Sequence, residues 1–262
     1  MKVKNILVVY TIPRTKEQVS TLEAVKKILK KYKIIHKLAN RDKLNKNHFR
    51  NKDIIIAVGG DGTFLRAAQF VDNQLLFGVN SDIKDKEGFF MKSNKNNFEN
   101  KIKKLIKGKA RIKKLQRLEA YIGFKKIGAL ALNEFFIGPK KSYHAAKYVI
   151  QIDGKKERQK SSGILITTST GSYAWAKSCC NKTLPLDSKN YQYVVREPYE
   201  GKVFKNYGLK YGILNKNQKI SIVSEMLDGI LIADSVSKEY NLKNGSKATI
   251  RLSKNYLNAI WL

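Results

Sequence analysis

One short segment of the chain combines residue types that phosphate chemistry uses: Gly59-Gly60-Asp61-Gly62-Thr63. An apolar run from Asp53 to Val58 leads into it and a helical pattern begins at Phe64, which indicates a buried strand, a tight turn and a helix start. Glycines let the backbone approach a ligand closely, and a helix N-terminus offers unpaired N–H groups and partial positive charge. The segment therefore predicts an anion-binding loop.

Asp61 is the unexpected member of such a loop, because a carboxylate repels phosphate. Its presence favours a group that takes a proton from an attacking hydroxyl, or one that meets the phosphate through Mg²⁺. The alternative is an ordinary glycine turn in which Asp61 caps the helix.

A polar pair, Asn133-Glu134, interrupts the apolar run from Ala131 to Ile137. Buried polar groups need partners. Asn supplies donors and an acceptor and Glu supplies acceptors, which together suit a base edge and sugar hydroxyls. The alternative is a strand edge whose polar residues face water.

The segment from Ser161 to Trp175 runs from a strand into a turn rich in hydroxyl groups, followed by two aromatic residues. Small hydroxyl residues admit a ligand and can bond to it, and a ring can stack on a nucleobase. The alternative is an ordinary Ser/Thr turn with Trp175 in the core.

Length and composition limit the class of protein. With 262 residues and 42% hydrophobic content, the chain is globular and could hold two domains. No apolar run approaches a membrane span, and because the first strand begins close to Met1 we expect no signal or transit peptide. The two cysteines, Cys179 and Cys180, are adjacent and pair poorly. We therefore expect a cytoplasmic protein that does not contact membranes.

The formal net charge of +31 raises the question of nucleic-acid binding. The 52 basic residues are mostly lysines spread over the chain, and aromatic residues are not interleaved with basic runs. We expect no specific nucleic-acid partner. The positive field would still attract anionic substrates.

The first 108 residues alternate strands and helices, which predicts an open, largely parallel α/β sheet. Expected strands are 5–11, 34–38, 53–58 and 75–80, and expected helices are 15–32 and 98–106. The apolar face of the first helix comprises Val19, Leu22, Val25, Ile28 and Leu29. Because ligands bind beyond the carboxyl ends of such strands, Gly59–Thr63 and Asn80–Asp82 could line one cleft.

Beyond Gly108 short alternating segments and turns predict an antiparallel β domain. Expected strands are 118–124, 128–137, 147–152, 163–168, 191–196, 220–224 and 229–233, with a helical turn near 174–178. We expect an N-terminal domain over 1–108 and a C-terminal domain over 109–240.

Three segments, in this order, resemble the NAD kinase family: Gly59-Gly60-Asp61-Gly62-Thr63, Leu132-Asn133-Glu134 and Thr170-Gly171-Ser172. The first alone is shared with diacylglycerol and sphingosine kinases, so the other two carry the distinction. The similarity extends over most of the chain from about Asp53. The branch that contains the animal mitochondrial enzyme is also similar at further segments: 78–82, 87–88, 133–138, 159–163, 174–175 and 196–198.

The resemblance implies a two-domain fold, with a Rossmann-like, diacylglycerol-kinase-like α/β domain and a C-terminal β-sandwich whose tail, 241–262, packs back on the first domain. It implies transfer of phosphate from ATP, or in some members polyphosphate, to the 2′-hydroxyl of the adenosine ribose of NAD. Asp61 would be the general base. The donor phosphates would be lined by Gly59, Gly60, Gly62, Thr63 and Asn80. NAD would be lined by Asp61, Gly62, Asn133, Glu134, Ser162, Thr170, Tyr173, Ala174, Trp175 and Ser178.

Some positions depart from the common pattern. Most bacterial members have Asp-Gly where this chain has Ser162-Gly163, and Thr-Ala-Tyr where it has Tyr173-Ala174-Trp175. Ser162 and Trp175 agree with the mitochondrial-type branch, whereas Tyr173 agrees with neither. Asp228-Gly229 resembles a family turn to which we assign no role.

Two other functions remain open from the sequence. A lipid kinase would need an apolar acceptor cleft and a Gly-Thr-Gly-Asn block, where this chain has Asn80-Ser81-Asp82. A basic nucleotide- or nucleic-acid-binding protein without activity is the other. No cluster of carboxylates or histidines predicts a protein-built metal site, so Mg²⁺ would arrive with ATP. Family members are commonly homodimers or homotetramers.

Overall fold

The computed structural model describes residues 5–261. Met1 to Lys4, which we expected to precede the first strand directly, and Leu262 lie outside the described residues. The chain divides into two units, one built from residues up to Leu115 together with those from Leu257 onward, and one from Gln116–Tyr256.

The strands within residues 5–261, in chain order, are β1 (Asn5–Tyr10), β2 (Ile35–Asn40), β3 (Ile54–Gly59), β4 (Leu75–Asn80), β5 (Ser93–Asn94), β6 (Ile112–Leu115), β7 (Leu118–Ile122), β8 (Lys125–Ala131), β9 (Glu134–Pro139), β10 (Ala146–Ile152), β11 (Lys155–Ser161), β12 (Ile164–Thr167), β13 (Tyr191–Val195), β14 (Tyr211–Leu214), β15 (Ile220–Ser224), β16 (Gly229–Ala233), β17 (Tyr240–Asn241), β18 (Lys247–Leu252) and β19 (Leu257–Ile260). The α-helices are α1 (Lys16–Lys31), α2 (Lys46–Phe49), α3 (Asp61–Ala68), α4 (Phe98–Ile106) and α5 (Trp175–Cys180). Short 3₁₀ helices span Arg41–Lys43 and Gly171–Tyr173. None of the described helices is both long and apolar enough to cross a membrane.

The first unit is a seven-stranded sheet in the order β2-β1-β3-β4-β19-β6, with β5 paired to β4. Strands β1 to β5 and β19 pair in parallel, and only β6 is antiparallel to its neighbour β19. All six residues of β3 are buried. This is typical of a parallel sheet covered on both faces.

Helices α1 and α4 pack their apolar faces on one side of this sheet. Leu22, Val25 and Leu29 of α1 lie in the same core cluster as alternate residues of β1 and β3. Thr15 caps α1 by accepting a hydrogen bond from the amide of Gln18, and basic residues occupy its last turn. The predicted strands and helices of this unit are present to within two residues. Val19, predicted on the apolar face of α1, is half exposed, because it lies at the rim of that face.

The second unit is a β-sandwich of two six-stranded sheets, in the orders β11-β10-β15-β18-β7-β8 and β14-β13-β12-β9-β16-β17. Its antiparallel strands send alternate side chains inward. One core cluster takes residues from both sheets, such as Leu118 and Ile150 from the first and Phe135 and Ile164 from the second. The α/β domain and the antiparallel β domain predicted from the sequence pattern are therefore confirmed, as is the β-sandwich that the family resemblance implied.

Three expectations differ from the structure in detail. The single strand expected over 128–137 is two strands in different sheets, β8 and β9, because the chain turns at Leu132-Asn133. The first unit extends to Leu115 rather than to 108, because β6 pairs with β19. The returning tail begins at Leu257 rather than at 241, because β18 pairs with β7 and β15 in the second unit.

The faces of α1 can be tested with two matched substitutions. Val25→Ala should lower the free energy of unfolding by about 1.5–3 kcal/mol, because Val25 is fully buried and two methyl groups leave a cavity. Val19→Ala makes the same chemical change at a residue that is 49% exposed and should stay within about 0.5 kcal/mol. Urea unfolding measures both. Equal losses would contradict the orientation of the helix.

Candidate active site

The glycine loop lies at the carboxyl edge of the parallel sheet, between β3 and α3. A Cβ on Gly59 would lie 2.3 Å from Oγ1 of Thr63, so only glycine lets the chain turn this tightly onto the helix. Gly78, on the neighbouring strand β4, is needed for a similar reason, because a Cβ there would lie 2.5 Å from the carbonyl oxygen of Phe90. Gly59 thus allows the tight turn onto α3, and Gly78 allows Phe90 and Met91 to pack against β4.

Asp61 is the first residue of α3, and Gly60 occupies the cap position without a side-chain hydrogen bond. The Asp61 carboxylate instead accepts hydrogen bonds from the amides of Phe89 (2.9 Å) and Phe90 (2.8 Å). The helix-cap alternative for Asp61 is therefore wrong. One amide binds each carboxylate oxygen, so each oxygen keeps a lone pair that can accept a further hydrogen bond.

A cleft of about 540 Å³ opens in the first unit beside Asp61. Gly60, Asp61 and Gly62 form part of its wall. Its charged lining residues are Arg14, Arg41, Asp42, Asp61, Asp85, Lys86 and Glu87. Loop backbone, a helix N-terminus and cations together suit a phosphorylated ligand.

Two residues predicted to line the donor phosphates are engaged elsewhere. Thr63 is fully buried, and its hydroxyl accepts a hydrogen bond from Nη1 of Arg41 at 3.2 Å. Asn80 is also buried, donates to the carbonyl of Lys86 and accepts from the amide of Asp82. Both side chains therefore stabilise the segments around the cleft, and neither lines its surface.

The sequence reasoning missed a cation beside Asp61. Nζ of Lys92 lies 4.0 Å from the ring centroid of Trp261 and 5.3 Å from that of Phe89. Burial lowers the pKa of Lys92, and the charge of Asp61 opposes that shift. No motif marks Lys92, because its position depends on β19 bringing Trp261 into the same sheet.

In the second unit, Asn133 and Glu134 lie at the turn between β8 and β9, and a carboxylate organises them. Asp234, directly after β16, accepts hydrogen bonds from the amides of Leu132 (2.9 Å), Asn133 (2.7 Å) and Glu134 (3.2 Å). Asp234 was not singled out from the sequence. Its only signal was a charged residue at the end of an apolar strand.

The side chains of this pair are buried but incompletely paired. Oδ1 of Asn133 and Oε2 of Glu134 have no hydrogen-bond partner within residues 5–261. Burial raises the pKa of Glu134 to about 8, and the nearby charge of Asp234 adds to the increase. At neutral pH Glu134 is therefore protonated and can donate as well as accept a hydrogen bond. Such atoms are expected where a ligand completes the pairing.

The hydroxyl-rich turn that follows β12 is hydrogen-bonded to the turn between β8 and β9, which contains Asn133. The hydroxyls of Thr168 and Thr170 both donate to the carbonyl of Leu132, at 2.6 and 2.8 Å. A Cβ on Gly171 would lie 2.0 Å from the carbonyl oxygen of Asn133, so this position requires glycine. Thr170 is buried and serves as a brace.

The remaining predicted residues surround this turn with different exposures. Trp175 is half-buried, with its ring 5.3 Å from that of Phe136 and 4.5 Å from the guanidinium of Arg196. It thus packs partly on the core, as the alternative for this residue proposed. Ala174 and Ser162 are half-buried, and Tyr173 and Ser178 are exposed. Asp228, which resembled a family turn, lies 3.5 Å from Nδ1 of His144.

Comparisons with known proteins agree with this fold. The family model described as ATP-NAD kinase N-terminal domain matches residues 4–110. A probable NADH kinase of Oryza sativa subsp. japonica is 23% identical over 267 residues, covering 92% of this chain and 80% of the relative. The mitochondrial NAD kinase 2 of Rattus norvegicus is 26% identical, covering 83% and 69%. The NAD kinase of Thermoplasma volcanium is 27% identical, covering 77% and 71%.

Two solved structures share the fold. An NAD kinase from Archaeoglobus fulgidus in complex with ATP superposes with a TM-score of 0.79 at 22% identity, covering 98% of this chain and 93% of that one. Yeast NADH kinase complexed with NADH gives a TM-score of 0.80 at 16% identity, covering 99% and 84%. The chain therefore has the two-domain fold of these two structures. Residues 4–110 match the NAD kinase N-terminal domain, and the chain is similar in sequence to NAD and NADH kinases over most of its length.

The state of Glu134 predicts how stability depends on pH. Its folded pKa of about 8 lies above the ordinary value of 4.5, so between these values the folded chain binds more protons than the unfolded chain. This contribution to stability is complete below about pH 4.5 and is lost as the pH rises toward 8. Glu134→Gln cannot titrate and should show a shallower loss between about pH 5 and about pH 8.5 in urea unfolding.

The control for this prediction is Glu239→Gln, which makes the same change at an exposed surface ion pair with Lys140. It should retain the wild-type pH dependence. If Glu134→Gln also followed the wild-type curve, Glu134 would be ionised in the folded chain at neutral pH.

Proposed function

We propose that the chain is an NAD kinase, which transfers the γ-phosphate of ATP to the 2′-hydroxyl of the adenosine ribose of NAD and gives NADP and ADP. The observation that carries the proposal is the position of the Asp61 carboxylate. Asp61 is the first residue of α3 and lines the cleft, and its carboxylate is held by the main-chain amides of Phe89 and Phe90. A fixed base beside an anion-binding loop is what phosphoryl transfer to a weakly acidic hydroxyl requires.

In this mechanism Asp61 is the general base. It accepts the proton of the 2′-hydroxyl as that oxygen forms its bond to the γ-phosphorus, and the bond from phosphorus to the ADP oxygen breaks. The two amides orient the carboxylate, so that little reorganisation is needed during the reaction. The amides at the start of α3 and the cations of the cleft stabilise the negative charge of the transferred group.

The acceptor nucleotide is assigned to Asn133 and Glu134. The two unpaired buried oxygens, Oδ1 of Asn133 and Oε2 of Glu134, can bind an exocyclic amine or sugar hydroxyls of the adenosine part. Asp234 fixes the backbone of both residues, so these side chains start from a defined position. We keep Ser162, Tyr173, Ala174, Trp175 and Ser178 as further proposed contacts to NAD.

The finer properties are proposals of the same kind. We propose that Mg²⁺ enters as part of the donor Mg·ATP. Polyphosphate is an alternative donor. We also propose a cytoplasmic homo-oligomer.

NADH is a second candidate acceptor, because the rice and yeast proteins carry the name NADH kinase. The adenosine ribose is common to NAD and NADH, so the same base would serve both. The test incubates the purified chain with NAD or NADH, Mg²⁺, and either ATP or polyphosphate, and measures NADP or NADPH. No product with any of the four pairs would refute the proposal.

Asp61→Asn tests the general base. The amide cannot take the proton, so kcat should fall about 10²–10⁴-fold while the KM for NAD changes less than about 2-fold. The substitution also places an NH₂ group against one of the two main-chain amides, which should cost about 1–2 kcal/mol of stability. Steady-state kinetics and thermal unfolding separate the two effects.

Asp72→Asn makes the same change at an exposed residue outside the cleft and should keep wild-type turnover. If folded Asp61→Asn protein turned over within a few-fold of wild type, the carboxylate would serve only to hold the 89–90 segment.

Asn133→Ala tests the acceptor contacts. The backbone at this position is held by Asp234, so the loop should keep its conformation. Loss of the side-chain hydrogen bonds should raise the KM for NAD by the equivalent of about 1–3 kcal/mol, with the KM for ATP nearly unchanged. Asn190→Ala, at an exposed residue of the same unit, is the control. Equal increases in both KM values would argue against the assignment.

A further inference from the structure

Arg41 lines the cleft but has no role in the reaction proposed above. It begins the 3₁₀ helix Arg41–Lys43, directly after β2. Strand β2 is parallel to β1, which is parallel to β3, so the residues that follow β2 and β3 lie at the same edge of the sheet. Arg41 therefore lines the cleft from the end of β2, which is separated from β3 and the glycine loop by one strand, β1.

The guanidinium lies against that loop. Nη1 donates to Oγ1 of Thr63 at 3.2 Å, and a Cβ built on Gly62 would lie 3.8 Å from the same nitrogen. Thr63 is fully buried and in contact with Gly59, so its hydroxyl is a rigid anchor. The contact fixes one corner of the guanidinium plane relative to the loop.

The rest of the guanidinium is under-used. An arginine side chain carries five N–H donors, and the bond to Thr63 is the one side-chain hydrogen bond that Arg41 makes within the described chain. Its Nε is buried without a hydrogen-bond partner. Oδ1 of Asp42 is 3.6 Å from Nε, beyond hydrogen-bond length, and also lies 3.8 Å from Arg66. Several donors therefore remain for a ligand in the cleft.

The charges that line the cleft favour such a contact. Its lining contains four carboxylates, Asp42, Asp61, Asp85 and Glu87, against three cations, Arg14, Arg41 and Lys86, a formal balance of 3 − 4 = −1. Lys86 already donates to Oγ of Ser81. Because the lining residues themselves carry no net positive charge, binding of a polyanion depends on individually placed donors, and an anchored arginine fork supplies several of them.

We propose that Arg41 is a ligand of the phosphate chain of the donor, with Thr63 as the residue that positions it. The chemistry recognised is a chain of linked phosphates, whether it belongs to a nucleoside triphosphate or to inorganic triphosphate. The inference rests on the proposed function for the identity of the cleft as the donor site. Binding measurements test it without relying on turnover.

The experiment compares Arg41→Gln and Arg41→Lys with Arg66→Gln, which removes the same charge from a residue near the same Asp42 but outside the cleft. Calorimetry measures the Kd for a non-hydrolysable Mg·ATP analogue and for Mg·triphosphate, and kinetics measure KM for ATP and for NAD. Arg41→Gln should weaken both phosphate ligands about 10- to 100-fold and leave the KM for NAD within about 2-fold. Arg41→Lys should recover only part of the loss, because it lacks the fork. Arg66→Gln should match wild type.

Thr63→Val supplies a second variant that keeps Arg41 and the shape of the buried side chain. It should weaken Mg·triphosphate less than Arg41→Gln does, because the arginine remains but loses its anchor. Thermal unfolding shows whether each variant is folded.

If the Arg41 variants bound only the ATP analogue more weakly, with the Kd for triphosphate unchanged, Arg41 would contact the nucleoside and the proposal would be overturned. Wild-type affinity of folded Arg41 variants for both ligands would also overturn it. Wild-type protein that binds triphosphate through Arg41 but forms no NADP would refute the proposed function and leave this inference standing.

Discussion

The Asp61 carboxylate and the two amides that bind it form the contact on which the first unit's cleft depends. The hydrogen bonds from Phe89 and Phe90 tie the segment after β4 to the first turn of α3. The rings of Phe64 and Phe90 stack at 4.8 Å beneath this contact, so the polar tie is backed by apolar packing. A carboxylate that is held by the main chain keeps its direction when solvent or ligand changes around it, which is the preorganisation that proton transfer needs.

In the second unit the carboxylate of Asp234 also binds main-chain amides, but the neighbouring Glu134 is protonated at neutral pH. Asp234 accepts three main-chain amides and thereby orients Asn133 and Glu134. Glu134, buried beside that charge, holds its proton to about pH 8. Because burial disfavours a second ionised carboxyl group beside the first, one of the two organises the loop and the other becomes a neutral hydrogen-bonding group. The pair thus provides both donors and acceptors where the buried oxygens are unpaired.

The charge of the whole chain and the charge of the cleft act at different ranges. A net charge of +31 attracts anions toward the protein from a distance. The lining of the cleft has more carboxylates than cations, so close binding there relies on loop amides and on individually placed cations.

The sequence by itself indicated the alternation of strands and helices in the first unit and the short strands of the second, because burial of alternate or periodic apolar residues is a local property of strands and helices. It also identified the glycine loop, Asp61 and the Asn133-Glu134 pair, since these residues depart from their apolar surroundings. Only the tertiary structure decided which residues these side chains contact. The Asp61–Phe89 and Glu134–Asp234 neighbours are 28 and 100 residues apart, and the return of β19 brings Trp261 to Lys92. Such contacts depend on how strands pair across the sheet, and pairing between distant segments leaves no periodic signal in either one.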